Sequence, residues 1–105
     1  MHGADAIFQA LGHPVRRALL QQLRAGEANA GELAASQTIS RPGVSRHLAV
    51  LRRSGLVVER KFGRELIYRL NPEAAAEARD WLNAFWDDRL SALKSLSEAR
   101  YDQTR

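Results

Sequence analysis

The hydrophobic positions of the first third of the chain recur at the three- and four-residue spacing of short α-helices. The first predicted helix covers residues 4–11, and the apolar residues on one of its sides are Ile7, Phe8 and Leu11. A second helix begins at Pro14, because proline is tolerated in a first turn, and ends at Gly26. A third covers about residues 30–36. The pattern predicts three consecutive helices with short connections.

A fourth helix follows after a connection of only a few residues. Ser40 supplies a hydroxyl N-cap, Pro42 lies in the first turn, and Gly55 ends the helix. Its apolar residues fall at helical spacing and form one narrow stripe, which consists of Val44, Leu48 and Leu51. After Gly55 the hydrophobic period changes to two in residues 57–61 and 65–70, which predicts a β-hairpin joined through residues 62–64.

The last predicted helix begins at the Asn71-Pro72 pair and extends to about residue 99. At ~100° per residue its apolar side chains fill about half of the circumference, more than the ~100° stripe of an ordinary surface helix. One small core cannot cover so wide an arc, so we expect a homodimer in which this helix and the first helix pair with their symmetry mates. The predicted interface residues are Ile7, Phe8, Leu11, Trp81, Phe85, Trp86, Arg89, Leu90 and Leu93.

The composition narrows the classes of protein to which the chain can belong. Its 105 residues are enough for one domain, residues 1–105, with a modest core. No stretch approaches the ~18 apolar residues of a membrane span, and we expect a cytoplasmic protein with no membrane partner. The absence of cysteine excludes disulfides, thiolate metal sites, cysteine nucleophiles and thiol redox sensing.

Positive charge is concentrated in the middle of the chain. Residues 41–69 carry a formal charge of +6, whereas residues 1–40 sum to zero and residues 70–105 to −2. Most of these cations are arginines, whose planar fork suits phosphates and guanine edges. The distribution predicts a polyanion-binding face on the fourth helix and the hairpin.

The order of elements predicts a mainly α fold with a small β-hairpin wing: a dimeric winged helix-turn-helix of five helices and two strands. The apolar stripe keeps one side of the fourth helix in the core, so its opposite side is free to enter the major groove of double-stranded DNA. The hairpin tip suits phosphate contact or minor-groove insertion. The predicted DNA-binding residues are Ser40, Arg41, Pro42, Ser45, Arg46, His47, Arg52, Arg53, Arg60, Lys61 and Arg64.

Three ordered motifs carry a resemblance to the ArsR/SmtB family of winged-helix repressors. The segments are Leu11-Gly12-His13-Pro14-Val15-Arg16-Arg17-Ala18-Leu19-Leu20, residues 40–57 around the fourth helix, and Gly63-Arg64-Glu65-Leu66-Ile67-Tyr68-Arg69-Leu70. They resemble that family's second helix, recognition helix and wing, and the match covers roughly residues 4–96. The resemblance implies a homodimeric transcriptional repressor that pairs through its first and last helices.

The sequence departs from the metal-sensing members of that family. Those members carry cysteines on the third helix, or Asp and His pairs on the last helix, and neither set occurs here. The three histidines, His2, His13 and His47, lie in unrelated segments. The chain resembles the cysteine-free, autorepressor-like branch, and we expect no metal and no cofactor.

Other functions compete with the repressor interpretation. A winged-helix module can dock an acidic protein through its basic face, and a sensor can bind a ligand in a pocket near Trp81, Phe85 and Trp86. Catalysis is not expected, because Ser45 and His47 are two apart on a helix and point to different sides. The role of Arg16 stays open between phosphate contact and bracing of the helix-turn-helix unit.

Overall fold

The structure, a computed structural model, describes residues 3–103 and the side chains of residues 3–98. Its elements in chain order are α1 (Ala4–Leu11), α2 (Pro14–Ala25), β1 (Ala28–Asn29), α3 (Ala30–Ala35), α4 (Arg41–Arg53), β2 (Val57–Phe62), β3 (Glu65–Leu70), a 3₁₀ turn (Pro72–Ala75) and α5 (Ala76–Gln103). The predicted winged helix-turn-helix with five α-helices is confirmed.

Side-chain caps fix where the helices of the helix-turn-helix unit begin. His13 caps α2 by accepting a hydrogen bond from the backbone N–H of Val15 at 3.1 Å. Asn29 and Glu32 form a reciprocal capping box at the start of α3. The predicted Ser40 cap is confirmed, since its hydroxyl accepts from the backbone N–H of Gly43 at 3.2 Å. The start of α4 is therefore set by local chemistry.

The sheet has three strands, so the prediction of two strands is wrong. Its order is β1-β3-β2, with both pairs antiparallel, and the two residues of β1 pair with Tyr68 and Ile67. A two-residue strand has no hydrophobic period, which explains why the pattern gave no sign of it. The hairpin itself is confirmed, with β2 and β3 in register from Val57↔Leu70 to Phe62↔Glu65.

The core lies between the helix-turn-helix and the base of the wing. Its fully buried large side chains come from α2, α3, α4 and β2, and they are Leu19, Leu33, Val44, Leu48, Leu51 and Val57. The predicted stripe of α4 is among them. Ile7 is also in this core at 2% exposure, so the prediction that it lies at a dimer interface is corrected: it has no surface left for a partner.

The last helix begins later and ends further along the chain than predicted. Asn71 does not cap it with its side chain; its backbone N–H donates to the carbonyl of Leu56 at 2.8 Å and closes the end of the sheet. A 3₁₀ turn follows, and α5 then runs from Ala76 to Gln103. Within the described residues no helix is long and apolar enough to cross a membrane.

Candidate nucleic-acid interface

The side of α4 opposite the core is exposed and basic. Eight of the predicted DNA-binding residues lie on α4 or at its cap. Seven of them are exposed, and they are Ser40, Arg41, Pro42, Ser45, Arg46, Arg52 and Arg53. His47 is half-buried. Because the cap at Ser40 fixes the first turn, Arg41 and Ser45 lie at the N-terminal end of the helix, the part that meets base edges when such a helix enters a major groove.

The wing presents its cations at a tight turn. The turn consists of Gly63 and Arg64, since Phe62 pairs directly with Glu65. Gly63 has φ 63°, a left-handed conformation that lets a two-residue turn follow the twist of the strands. Arg60, Lys61 and Arg64 are all exposed around this turn. The structure therefore brings these three predicted residues together on the wing.

Two of the predicted DNA-contacting arginines have carboxylate partners within the chain. Arg52 on α4 pairs with Glu59 on β2 at 2.5 Å. Arg60 on β2 pairs with Glu27, just before β1, at 2.7 Å. The first pair joins α4 to the strand that follows it, and the second joins β2 to a residue 33 positions earlier, so each arginine holds the wing against a neighbouring element. No sequence signal pointed to Glu27 or Glu59.

Tyr68 lies at the base of the wing, close to Glu59. Burial raises the pKa of Tyr68, and the nearby carboxylate of Glu59 raises it further. Ser45, Leu66 and Tyr68 line an open cleft of about 290 Å³ between α4 and the wing. Leu66 remains 42% exposed there.

Five of the cations predicted to contact DNA are exposed and belong to no ion pair among the side chains described. They are Arg41, Arg46, Arg53, Lys61 and Arg64. We call these five residues the free basic set. They belong to α4 and to the wing tip, the two elements predicted to contact DNA.

Arg16 connects α4 to the C-terminal end of α1. Its Nε donates to the carbonyl oxygen of Ala10 at 2.6 Å, and one terminal nitrogen donates to the carbonyl oxygen of Gln9 at 3.1 Å. The other terminal nitrogen lies 3.2 Å from Nδ1 of His47. The ring of His13 lies beside that of His47, with centroids 4.3 Å apart. Two histidines from distant segments therefore meet here, while His2 lies outside the described residues.

This environment favours the neutral form of His47. Burial lowers its pKa below the ordinary value of 6.5, and the nearby charges of His13, Arg16 and Arg46 lower it further. In the neutral tautomer that carries its proton on Nε2, Nδ1 keeps a lone pair, which can accept a hydrogen bond from Arg16. The structure thus gives His47 an internal partner, in contrast to the exposed side chains of Arg46 and Ser45.

We expect His47 to make the free energy of unfolding depend on pH. Because its pKa is lower in the folded chain, the unfolded chain binds more protons as the pH falls below about 6.5, and the folded state loses stability through that range. Urea midpoints of wild type and His47→Asn, compared between about pH 7.5 and about pH 5, measure this contribution. The wild type should lose more stability than the variant on acidification. Equal losses would contradict the assignment.

The apolar arc of α5 is exposed in the protomer. Its large side chains are between 49% and 63% exposed, apart from Leu82, and they are Trp81, Phe85, Trp86, Leu90, Leu93 and Leu96. Phe8 on α1 contacts Trp81 edge-on at 5.5 Å between ring centroids, and Trp81 stacks on Phe85 at 5.8 Å. We call these six α5 side chains and Leu82, together with Phe8 and Leu11 of α1, the aromatic face. Arg89 is exposed within it.

The ligand pocket that the sequence offered as an alternative has limited structural support. An open apolar hollow of about 530 Å³ lies between α1 and α5, but of the predicted pocket aromatics only Trp81 lines it, together with Phe8, Asp5 and Leu82. Among the described residues, no group of three or more His, Asp or Glu side chains is placed to hold a metal ion.

Comparison with known proteins identifies similar chains. A family model described as a helix-turn-helix domain matches residues 11–60, which include α2, α3 and α4. The chain is 38% identical over 100 residues to the HTH-type transcriptional regulator Rv2034 of Mycobacterium tuberculosis, covering 95% of this chain and 94% of that protein. It is 30% identical over 79 residues to the transcriptional repressor SdpR of Bacillus subtilis, covering 75% of this chain and 88% of that protein.

A solved structure matches at the level of the fold and of the sequence. An ArsR-like transcriptional regulator from Rhodococcus sp. RHA1 is 31% identical, with a TM-score of 0.71 over 89% of this chain and 91% of that chain. The similarity thus extends over almost the full length of both chains.

Proposed function

We propose that this chain, which belongs to the ArsR/SmtB family of winged helix-turn-helix transcriptional repressors, binds an inverted-repeat operator as a homodimer. Family membership makes it a DNA-binding repressor. The observation that carries the finer proposal is the position of the free basic set on α4 and the wing tip, while the opposite side of α4 is buried. We also propose that it needs no cofactor and is not an enzyme.

In this proposal α4 reads bases and its neighbours position it. Arg41, Ser45 and Arg46 lie toward the N-terminal end of α4, and two of them have guanidinium forks that match the acceptors of guanine in the major groove. Arg53, at the last residue of α4, suits the phosphate backbone. Arg52 is assigned to the ion pair with Glu59 rather than to a base.

The proposed dimer uses the aromatic face. Pairing this face with the same face of a second copy removes a continuous apolar surface from water, at ~25 cal/mol per Å². Because a two-fold dimer presents two α4 helices to successive major-groove turns, the operator should contain two half-sites about 10 base pairs apart, centre to centre, or a multiple of that spacing.

Selection of binding sites from a random DNA pool, with the purified full chain, tests the proposal. We expect an enriched inverted repeat, because two identical recognition helices are related by a two-fold axis. Affinity should also fall as salt is added, and the logarithm of the binding constant should decrease with the logarithm of the salt concentration at a slope of about −0.9 per phosphate contact. Enrichment of no sequence, together with binding of an acidic protein through the same basic face, would support the protein-docking alternative.

Neutralising the wing tip should weaken binding to every sequence alike. Lys61 and Arg64 are exposed and unpaired, so we expect Lys61→Gln with Arg64→Gln to lower affinity and flatten the salt slope by up to about 1.8. The control is Arg60→Gln, whose side chain is already paired with Glu27 and should flatten the slope less. Titrations at several salt concentrations measure both. A slope unchanged in the double variant would show that the wing tip does not contact DNA.

A further inference from the structure

We infer that Arg16 is a positioning residue that fixes the recognition helix α4 relative to the dimer-forming helix α1, and thereby sets the half-site spacing that the dimer accepts. This inference rests on the proposed function, because spacing has meaning only for a dimer on two half-sites. It also assigns Arg16 to bracing rather than to phosphate contact, a choice that the sequence left open.

The first support is the hydrogen bonding of the guanidinium. Arg16 is half-buried, and all three of its nitrogens are engaged: two with the carbonyl oxygens of Gln9 and Ala10, and one with Nδ1 of His47. The carbonyl of Gln9 also accepts from the backbone N–H of Gly12, whereas that of Ala10 lies in the last turn of α1, where helix carbonyls have no partner further along the helix. A cation at this end also complements the helix dipole. The last turn of α1 contains no basic residue, so α2 supplies this charge.

The second support is the location of the two ends of the hydrogen-bonded connection through Arg16. Phe8, next to Gln9 in sequence, contacts Trp81 on the aromatic face. His47 lies on α4, directly after Arg46, which belongs to the free basic set. Direct contacts therefore run from the proposed dimer surface through α1 and Arg16 to the recognition helix.

A lysine cannot replace this arrangement. An ammonium is a single point on a flexible stem, whereas the guanidinium holds three acceptors at once in a fixed plane. Arg16→Lys keeps the charge that any phosphate contact needs and removes the fork that bracing needs. The substitution therefore separates the two roles.

Arg17 provides a matched control. Its guanidinium donates to the carbonyl of Leu11 at 2.7 Å, so it also caps the end of α1. Among the described side chains, its hydrogen bonds do not reach α4. Arg17→Lys thus perturbs the same helix end as Arg16→Lys without breaking a connection to the recognition helix.

The test measures affinity for a set of DNA duplexes that carry the selected half-site singly or as inverted repeats at different spacings. Wild type and Arg17→Lys should prefer one spacing. Arg16→Lys should lose about tenfold on the preferred spacing while binding the single half-site almost as wild type does, because the second contact depends on geometry. Its spacing preference should broaden accordingly. If Arg16→Lys only destabilised the fold, it would bind every duplex more weakly and its preferred spacing would not change.

Variants of His47 give an independent measurement. Asn offers a side-chain oxygen near the position of Nδ1, whereas Ala offers none, so we expect His47→Asn to keep the spacing preference that His47→Ala loses.

Several outcomes would overturn the inference. One is a wild-type spacing preference in Arg16→Lys. Another is a salt slope flattened by about 0.9 in Arg16→Ala with Arg16→Lys unaffected, which would show a phosphate contact. If the wild type selects no inverted repeat, the proposed function fails and this inference fails with it. If the wild type selects an inverted repeat and the Arg16 variants show the same spacing preference, the proposed function stands and only this inference is lost.

Discussion

The variant Leu90→Glu with Leu93→Glu is expected to be monomeric at micromolar concentration and to lose operator affinity by a factor of about 10² to 10⁴. Both leucines are more than half exposed in the protomer, so the substitutions should leave its fold intact. In a dimer paired through the aromatic face, however, each protomer would bring two carboxylates into an apolar interface, where the single charge of Arg89 cannot neutralise both. A single half-site would then have to bind alone, which removes the gain from bivalent binding.

Lys94→Glu provides the control for this variant. It changes the net charge by the same amount on the same helix, but Lys94 lies on the polar side of α5. Sedimentation measures the oligomeric state, and titration with the selected operator measures affinity. We expect Lys94→Glu to remain dimeric. A dimeric Leu90→Glu, Leu93→Glu chain with wild-type affinity would refute pairing through this face.

Arg46→Ala is expected to weaken operator binding by about 1–3 kcal/mol and to relax the preference at particular base pairs. Arg46 is exposed, has no carboxylate partner among the described side chains, and lies on the side of α4 opposite the buried stripe. A guanidinium in that position can donate two hydrogen bonds to one guanine. Arg46→Lys keeps the charge but not the fork, so it should lose much of the preference while keeping the salt slope.

Arg53→Ala separates base recognition from general attraction to DNA. Arg53 lies on the same side of α4 at its last residue, where a phosphate contact is expected. We expect this variant to bind all sequences more weakly with unchanged preference. Selection from a random pool, repeated for each variant, measures the preference at each position. If Arg46→Ala selects the wild-type site with the same preference, Arg46 does not read bases.

The helices and the hairpin were predictable because each has a local signal. The stripe of Val44, Leu48 and Leu51 fixes the buried side of α4, and the Ser40 cap fixes its start. Both features depend on residues within a few positions of one another. The two-residue β1 and the 3₁₀ turn that precedes α5 are too short for any such period, so the pattern could not predict them.

What the sequence could not predict depends on contacts between distant segments. Periodicity shows that Ile7 lies on an apolar side of α1, but it does not show whether the protomer or a second copy covers that side. The pairing of Arg60 with Glu27 joins residues 33 apart, and the approach of Arg16 to His47 joins residues 31 apart. Which arginines remain free for DNA is therefore a property of the fold.

The aromatic face has a spectroscopic consequence. The chain has two tryptophans, Trp81 and Trp86, and both lie on α5 with 56% of their surface exposed. Because indole emission moves to shorter wavelength when water is excluded, intrinsic fluorescence on dilution should follow subunit dissociation without any label. The proposed DNA-binding surface contains no tryptophan, so a change in emission when operator is added would report a rearrangement between subunits rather than contact with the bases.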